Sequence, residues 1–328
     1  MKIQLVCAML AVGGCATTGL GSVETEVAKA LISSDQENKL GLQFKTELET
    51  KQKVVYLNDP TVVEYVRGVA NKVIALGKKD RPDVTWQVNV IDDNKTVNAF
   101  ATPGGYLYVY SGLITAADNE AELAGVMAHE TGHVVARHSA RQMVDAYGLE
   151  AVAGLALGKD PGLLGQLAAG VGTKGFMLAN SRSDETEADE YGARYAAGAG
   201  YDPHGLVTFF EKLKRQEGSS PAFLAILSDH PATPDRIDHT NQYIAQHKLH
   251  GATTNAPQFA AIKARVASHV SQSPPPSQAG VGPPNGGSSG SGNTGTSGTS
   301  GGGQMLAPHG SQSSGSKSPP PKFVPPPN

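Results

Sequence analysis

The stretch Ala121–His138 reads AELAGVMAHETGHVVARH and contains the pentapeptide His129-Glu130-Thr131-Gly132-His133. Two histidines four residues apart lie one turn apart on the same side of an α-helix, so both imidazoles can reach one Zn²⁺. In this HExxH spacing the glutamate lies beside a water molecule on the metal and acts as its general base. The pentapeptide therefore predicts one zinc ion per chain, with His129 and His133 as ligands and Glu130 as the catalytic base.

The residues around the pentapeptide predict one long helix from position 116 to 146. The segment is almost free of helix breakers apart from Gly125 and Gly132, and Asp118 or Asn119 can cap its amino end. On such a helix His138 lies about 180° around the axis from His129, so it is not expected to bind the same metal. The alternative interpretation is a core helix that carries two hydrogen-bonded polar residues.

An acidic cluster downstream supplies the candidates for a third ligand, namely Asp184, Glu185, Glu187, Asp189 and Glu190. Ser183 or Asp184 can cap a helix there. Glu185 and Asp189 share one face of that helix, whereas Glu187 lies about 200° away from Glu185. We therefore predict that Glu185 is the third ligand and that Asp189 accepts a hydrogen bond from a ligating histidine. The alternative is an acid-rich first turn that the helix dipole favours by itself.

The stretches 98–101 and 106–110 flank a Pro-Gly-Gly turn and predict a β-hairpin. An exposed edge of this hairpin at Asn98, Ala99 and Phe100 can pair with an extended substrate by strand addition. The alternative is that the tyrosines of the second strand pack beside the core.

Four separated matches, in the same order, resemble metallopeptidase family 48. They are His129–His133, Glu185–Asp189, Asn98–Gly105, and Asp229-His230-Pro231 followed by Arg236. The resemblance is closer to periplasmic BepA- and LoiP-like lipoprotein peptidases than to members whose catalytic domains are embedded among membrane spans. It implies a zinc-dependent endopeptidase of the gluzincin type, with the ligands, the base and the Asp189 contact given above.

The same resemblance gives His230 and Arg236 candidate roles. His230 matches the place where BepA-type relatives carry a histidine that can occupy the fourth zinc position. A fourth protein ligand displaces the water that Glu130 must activate, so His230 would hold the enzyme latent. The competing role is stabilisation of the oxyanion, which either His230 or Arg236 could serve. The third interpretation is a loop histidine that caps the helix starting near Pro234.

The start of the chain predicts export and lipidation. Lys2 and the apolar run Ile3–Val12 are typical of a signal peptide over residues 1–14, and Val12–Cys15 resembles a bacterial lipobox. We expect cleavage before Cys15, a lipid anchor on Cys15, and a location at the periplasmic face of the outer membrane. The alternatives are an ordinary signal peptide with secretion, or an uncleaved anchor.

Composition divides the rest of the chain. The net charge of -3 over 328 residues suggests no nucleic-acid partner. We predict a linker over 15–33, the metallopeptidase domain over 34–270, and a disordered tail over 271–328. That tail is rich in Pro, Gly and Ser and has few large apolar residues to bury.

The expected fold is α+β, a mainly helical zincin-like domain with a small β-sheet beside the zinc helix. The expected function is an endopeptidase of the bacterial envelope that cleaves misfolded or stalled envelope proteins, with the outer-membrane assembly machinery as a candidate partner. The alternative is a non-proteolytic chaperone or assembly factor that retains the zinc site. Glu130 favours the peptidase, because a structural metal site needs no base.

Overall fold

The computed structural model describes residues 32–165 and 180–269. All of them belong to the first of two compact units, residues 1–279. The predicted signal peptide 1–14, Cys15, nearly all of the linker 15–33 and the tail 271–328 lie outside the described residues.

Helices dominate the described chain, and the predicted α+β class is confirmed. In chain order the elements are α1 (Ser34–Thr50), α2 (Pro60–Asp80), β1 (Gln87–Ile91), β2 (Ala99–Thr102), β3 (Tyr106–Tyr110), α3 (Ser111–Ala116), α4 (Glu120–Val135), α5 (His138–Tyr147), α6 (Leu149–Ala156), α7 (Arg182–Gly198), α8 (His204–Gln216), α9 (Leu224–Asp229), α10 (Pro234–Gln246) and α11 (Phe259–Ser268).

None of the helices among the described residues has both the length and the apolar character that crossing a membrane requires.

The sheet has the strand order β1-β3-β2, with β1 parallel and β2 antiparallel to the central strand β3. The predicted hairpin is confirmed, and its turn contains Gly104 and Gly105 at φ 76° and 83°, a region that glycine adopts without steric cost. The tyrosines of β3 are buried in a cluster with α1, α5 and α6 residues, so they pack in the core. Strand β2 is an edge of the sheet and lies against α4.

Helix α4 carries the HExxH pentapeptide and is buried along its whole length. It packs against α2, α7, α8 and β2. Its crossing with α7 is close: a Cβ atom on Gly132 would lie 2.7 Å from the Cβ of Tyr191, and one on Gly192 would lie 3.2 Å from the backbone of His129. Because these positions lack side chains, the backbone of α7 comes close to the face of α4 that carries His129 and His133.

The predicted continuous helix from 116 to 146 is wrong. Helix α4 begins only after Asn119, whose side chain caps it, and it ends at Val135. Arg137 then adopts a left-handed conformation, φ 61° and ψ 31°, before α5 begins at His138. A left-handed non-glycine residue costs about 1–3 kcal/mol, which tertiary contacts must offset.

The contact that holds Arg137 in this turn comes from α1. The carboxylate of Glu37, which is 2% exposed, lies 3.0 Å from Nε of Arg137, and Arg137 also donates to the carbonyl oxygen of Ile32. A buried ion pair with a residue 100 positions away therefore overrides local helix propensity. As a result His138 is not on the far side of a continuous helix from His129.

Candidate metal centre

Four buried side chains converge at one point of the described structure: His129, His133, Glu185 and His230. Their facing atoms are close together, with 3.0 Å between Nε2 of His129 and Nε2 of His133, and 3.4 Å between Nε2 of His133 and Oε1 of Glu185. Nδ1 of His230 lies 3.2 Å from Nε2 of His129 and 3.0 Å from Oε1 of Glu185. Ligand atoms around one tetrahedral zinc ion are about 3.4 Å apart at the usual bond lengths. The imidazole and carboxylate donors therefore fit zinc in both chemistry and spacing.

Helices α4 and α7 bring three of these donors together. His129 and His133 lie one turn apart on α4, and Glu185 is in the first turn of α7. The cap of α7 is Ser181, whose side chain accepts from the backbone N–H of Asp184. The predicted caps, Ser183 and Asp184, were therefore two to three residues too late. This shift leaves the relative phase of Glu185 and its neighbours unchanged, because phase depends on spacing within the helix.

Asp189 and Arg236 lie directly behind the cluster. Oδ1 of Asp189 is 2.9 Å from Nδ1 of His129, the contact that the sequence suggested. Arg236, which is 5% exposed, donates to both oxygens of Asp189 at 2.7 and 2.8 Å and lies 2.7 Å from Oε2 of Glu185. It also donates to the carbonyl oxygen of Pro231 at 2.9 Å. One guanidinium thus fixes both carboxylates and the segment beside His230.

Glu130 is a residue of α4, and its buried side chain faces strand β2. Burial raises the pKa of its carboxyl to about 8, although the charge of His230 and a hydrogen bond from the backbone N–H of Ala101 oppose this rise. Of the three predicted edge-strand residues, Phe100 borders the cleft beside Glu130. Asn98 donates its side-chain amide to Asp229 at 3.3 Å. Ala99 is buried within β2, and Asn98 and Phe100 are buried as well, so the exposed edge predicted at these three residues is not observed.

His230 lies between the cluster and Glu130. Its Nδ1 faces Glu185, and its Nε2 is 3.2 Å from Oε1 of Glu130. Burial lowers the pKa of His230, but the charges of Glu185 and Glu130 outweigh burial and raise that pKa to about 10. His129 and His133 differ, because burial lowers the pKa of each and favours the neutral imidazole that binds a metal.

Glu187 faces away from the cluster, as its helical phase predicted. Its Oε2 lies 3.1 Å from Nε2 of His138. Nδ1 of His138 in turn lies 2.8 Å from Nδ1 of His133. His138 is not among the four clustered residues, but it contacts one of them. Sequence reasoning missed this contact, since the segment Ala136-Arg137 contains no glycine or proline that would mark the end of a helix.

Two cavities border the cluster, and Glu130 and His230 line both of them. The more polar cavity includes Ser139, Gln142, Asn180 and Asp229. The apolar cavity is lined by Val126, Leu206, Phe209, Phe210, Leu213 and Ile226, next to His129. Sequence patterns do not distinguish these apolar residues from ordinary core residues.

Comparison with known proteins places this arrangement in a family. The model of Peptidase family M48 matches residues 60–244, more than half of the 328 residues, and this range includes every residue of the cluster. The chain is 34% identical over 254 residues to Metalloprotease LoiP of Escherichia coli strain K12. The aligned region covers 73% of this chain and 96% of LoiP.

Two longer relatives match in part. Identity is 34% over 196 residues with Mitochondrial metalloendopeptidase OMA1 of Schizosaccharomyces pombe, covering 60% of this chain and 57% of that protein. Identity is 31% over 223 residues with Beta-barrel assembly-enhancing protease of Escherichia coli strain K12, and the aligned region covers 64% of this chain and 44% of that protein. The chain thus spans about half the length of these two relatives. With the family pattern matched across the cluster and LoiP covered almost end to end, the chain belongs to peptidase family M48, a family of zinc metallopeptidases.

Proposed function

We propose that the chain is a zinc-dependent endopeptidase of the bacterial cell envelope. The observation that carries this proposal is the convergence of His129, His133 and Glu185 at zinc-ligand spacing, with Glu130 buried beside them. These three residues would hold one zinc ion, which supplies a polarised water of lowered pKa. Glu130 would accept a proton from the attacking water and pass it to the departing amine of the cleaved peptide bond.

Three further residues, Arg236, His230 and Asp189, have proposed roles around the metal ligands and the base. Arg236 bonds to Glu185 and Asp189 and is buried, so we assign it to orienting those carboxylates. The role of stabilising the oxyanion then falls to His230, whose Nε2 faces Glu130. We propose that Asp189 fixes the ring of His129 through Nδ1, which leaves Nε2 for the metal.

The substrate is proposed to be an unfolded segment of an envelope protein. Strand β2 is an edge of the sheet and contacts the zinc helix, so an extended peptide that pairs along Asn98, Ala99 and Phe100, once this buried edge is uncovered, would pass Glu130. A chain that has lost or not yet gained its fold supplies such segments readily. The name Beta-barrel assembly-enhancing protease adds the outer-membrane assembly machinery as a candidate partner.

Attachment to the membrane is proposed from the start of the sequence. The basic Lys2, the apolar run to Val12 and the lipobox-like Val12–Cys15 support cleavage before Cys15 and lipidation of that residue. A lipid anchor would hold the enzyme at the periplasmic face of the outer membrane.

The position of His230 in the cluster supports a second, inactive state of the enzyme. Nδ1 of His230 lies as close to the facing ligand atoms as the other donors do. As a fourth ligand, His230 would displace the attacking water, so we propose that the resting enzyme is latent and that release of His230 activates it. A non-proteolytic chaperone or assembly factor with a closed zinc site is the alternative function that this feature favours.

Replacement of Glu130 by glutamine tests the base. The amide cannot accept the proton, so Glu130→Gln is expected to retain about one zinc per chain and to lose cleavage of casein. Zinc is measured by atomic absorption, and the exposed Glu64→Gln is the control. Full proteolysis by Glu130→Gln would contradict the role of Glu130 as the general base. A wild-type protein that carries zinc but shows no proteolysis would favour the chaperone function.

Replacement of the two glutamates on α7 tests the ligand set. Glu185→Ala is expected to lose zinc because it removes a ligand, and Glu187→Ala is expected to retain the metal stoichiometry because Glu187 faces His138. Asp189→Ala should weaken binding by about 10- to 100-fold. Zinc content after dialysis measures each case. The reverse behaviour of the two glutamate variants would show that the assigned face of α7 is wrong.

Replacement of Cys15 tests anchoring. Mass spectrometry of the native protein is expected to find a lipidated Cys15 at the amino terminus, and Cys15→Ser should move the protein from the membrane to the soluble fraction. Cys7→Ser, inside the predicted signal peptide, serves as the matched control and should leave the protein in the membrane fraction. An unmodified Cys15 in membrane-extracted protein would contradict the proposal.

Replacement of His230 separates its two candidate roles. If His230 closes the metal site, His230→Ala raises basal proteolysis while zinc stays bound by the other three ligands. If it stabilises the oxyanion, activity falls with zinc intact. The exposed His239→Ala is the control. Unchanged activity in His230→Ala would reject both roles.

A further inference from the structure

His138 is a fully buried histidine that contacts His133, one of the four clustered residues, from outside the cluster. It is 0% exposed, and its Nδ1 is 2.8 Å from Nδ1 of His133. Its other nitrogen, Nε2, faces two carboxylates of α7, at 3.1 Å from Glu187 and 3.6 Å from Asp184. Arg141 of α5 pairs with Asp184 and lies 3.8 Å from Glu187. The two carboxylates around His138 are therefore themselves held by a cation.

One assignment of protons satisfies this whole chain of contacts. His133 faces the cluster with Nε2, so that nitrogen must be free of a proton when it binds a metal. The single proton of its neutral ring is then on Nδ1 and is donated to Nδ1 of His138. His138 must accept there, so its own proton is on Nε2 and is donated to Glu187. The opposite tautomer of His138 would place two N–H groups against each other.

The two histidine ligands are consequently supported in different ways. Nδ1 of His129 faces the carboxylate of Asp189 directly, whereas Nδ1 of His133 faces a neutral imidazole with a carboxylate one step further. A direct carboxylate strengthens the ligand's basicity as well as its orientation. At His133 the contact with His138 mainly fixes the orientation of the ring.

The turn after α4 is what delivers His138 to this place. Arg137 is left-handed and tied to Glu37, and this reversal starts α5 with the His138 ring turned back toward His133. The first turns of α7 then supply a ligand from one side, Glu185, and the partner of His138 from the other, Glu187.

We propose that His138 is a positioning residue for the metal centre, which sets the tautomer and ring orientation of His133, and that Glu187 acts on the metal only through His138. This inference rests on the proposed metal site and not on peptidase activity. It predicts a graded effect, with a strong loss at His138, a smaller one at Glu187 and none at surface residues of the same types.

The test measures metal binding by the full-length protein. Zn²⁺ affinity is determined by competition with a chromophoric chelator, and Co²⁺ serves as a spectroscopic probe of the ligand geometry. His138→Ala is expected to weaken zinc binding by about 10- to 100-fold and to change the visible cobalt spectrum. His138→Asn is expected to restore most of the affinity, because its Oδ1 stands where Nδ1 accepts the proton of His133.

The variant Glu187→Leu tests the same chain of contacts while the buried imidazole of His138 stays in place. It should weaken zinc binding less than His138→Ala does, without loss of stoichiometry. The matched controls are His239→Ala and Glu190→Leu, since His239 and Glu190 form an exposed pair at 2.9 Å on α10 and α7. Thermal unfolding followed by circular dichroism shows whether each variant is folded.

Three results would overturn the proposal. They are wild-type affinity and spectrum in His138→Ala, equal weakening by His138→Asn and His138→Ala, and an effect of Glu187→Leu no larger than that of Glu190→Leu. If His138→Ala does not fold, the asparagine and Glu187 arms still decide the question. A wild-type protein that binds zinc in this way but cleaves nothing would refute the proposed peptidase while leaving the positioning role supported.

Discussion

The backbone contact between α4 and α7 is the constraint on which the rest of the site depends. Glutamate and aspartate side chains are short, so Glu185 and Asp189 reach the histidines only if the two helices nearly touch. Gly132 and Gly192 provide that approach, because a methyl group at either position would meet the opposite helix at 3.2 Å or less. A bulkier crossing would move the carboxylates away from the imidazoles by more than a metal–ligand bond can tolerate.

Such close packing concentrates charge in a region with almost no solvent, and the structure compensates for it by pairing. Burial of an isolated carboxylate is costly, and the cost falls only when each charge has a partner of good geometry. Arg236 meets this need for Glu185 and Asp189, and its guanidinium also lies 4.5 Å from the ring of Phe210. Nε2 of His230 lies 3.2 Å from Glu130, and His129 and His133, with Glu185, form a donor set that suits a divalent cation.

Local sequence spacing was enough to predict the parts of the site that lie within single elements. The pair on α4, the shared face of Glu185 and Asp189, and the Pro-Gly-Gly hairpin all follow from periodicities of 3.6 and 2. The break at Arg137 could not be predicted in this way, because its cause is the distant Glu37 and no helix-breaking residue occurs at the break. The mistaken placement of His138 opposite His129 follows from this undetected break.

The same ion pair shows that the site extends beyond the segment that the family pattern matches. That pattern begins at residue 60, whereas α1 ends at Thr50. Glu37 of α1 nevertheless lies 3.0 Å from Arg81 and from Arg137, and Arg81 donates to the carbonyl oxygen of Val134 near the end of the zinc helix. Helix α1 therefore fixes the end of α4 and the start of α5, and through His138 it fixes one side of His133. Arg236 of α10 holds the two carboxylates of α7, and Glu37 of α1 holds the Arg137 turn that follows the zinc helix. The position of the HExxH motif therefore depends on parts of the fold that lie outside it.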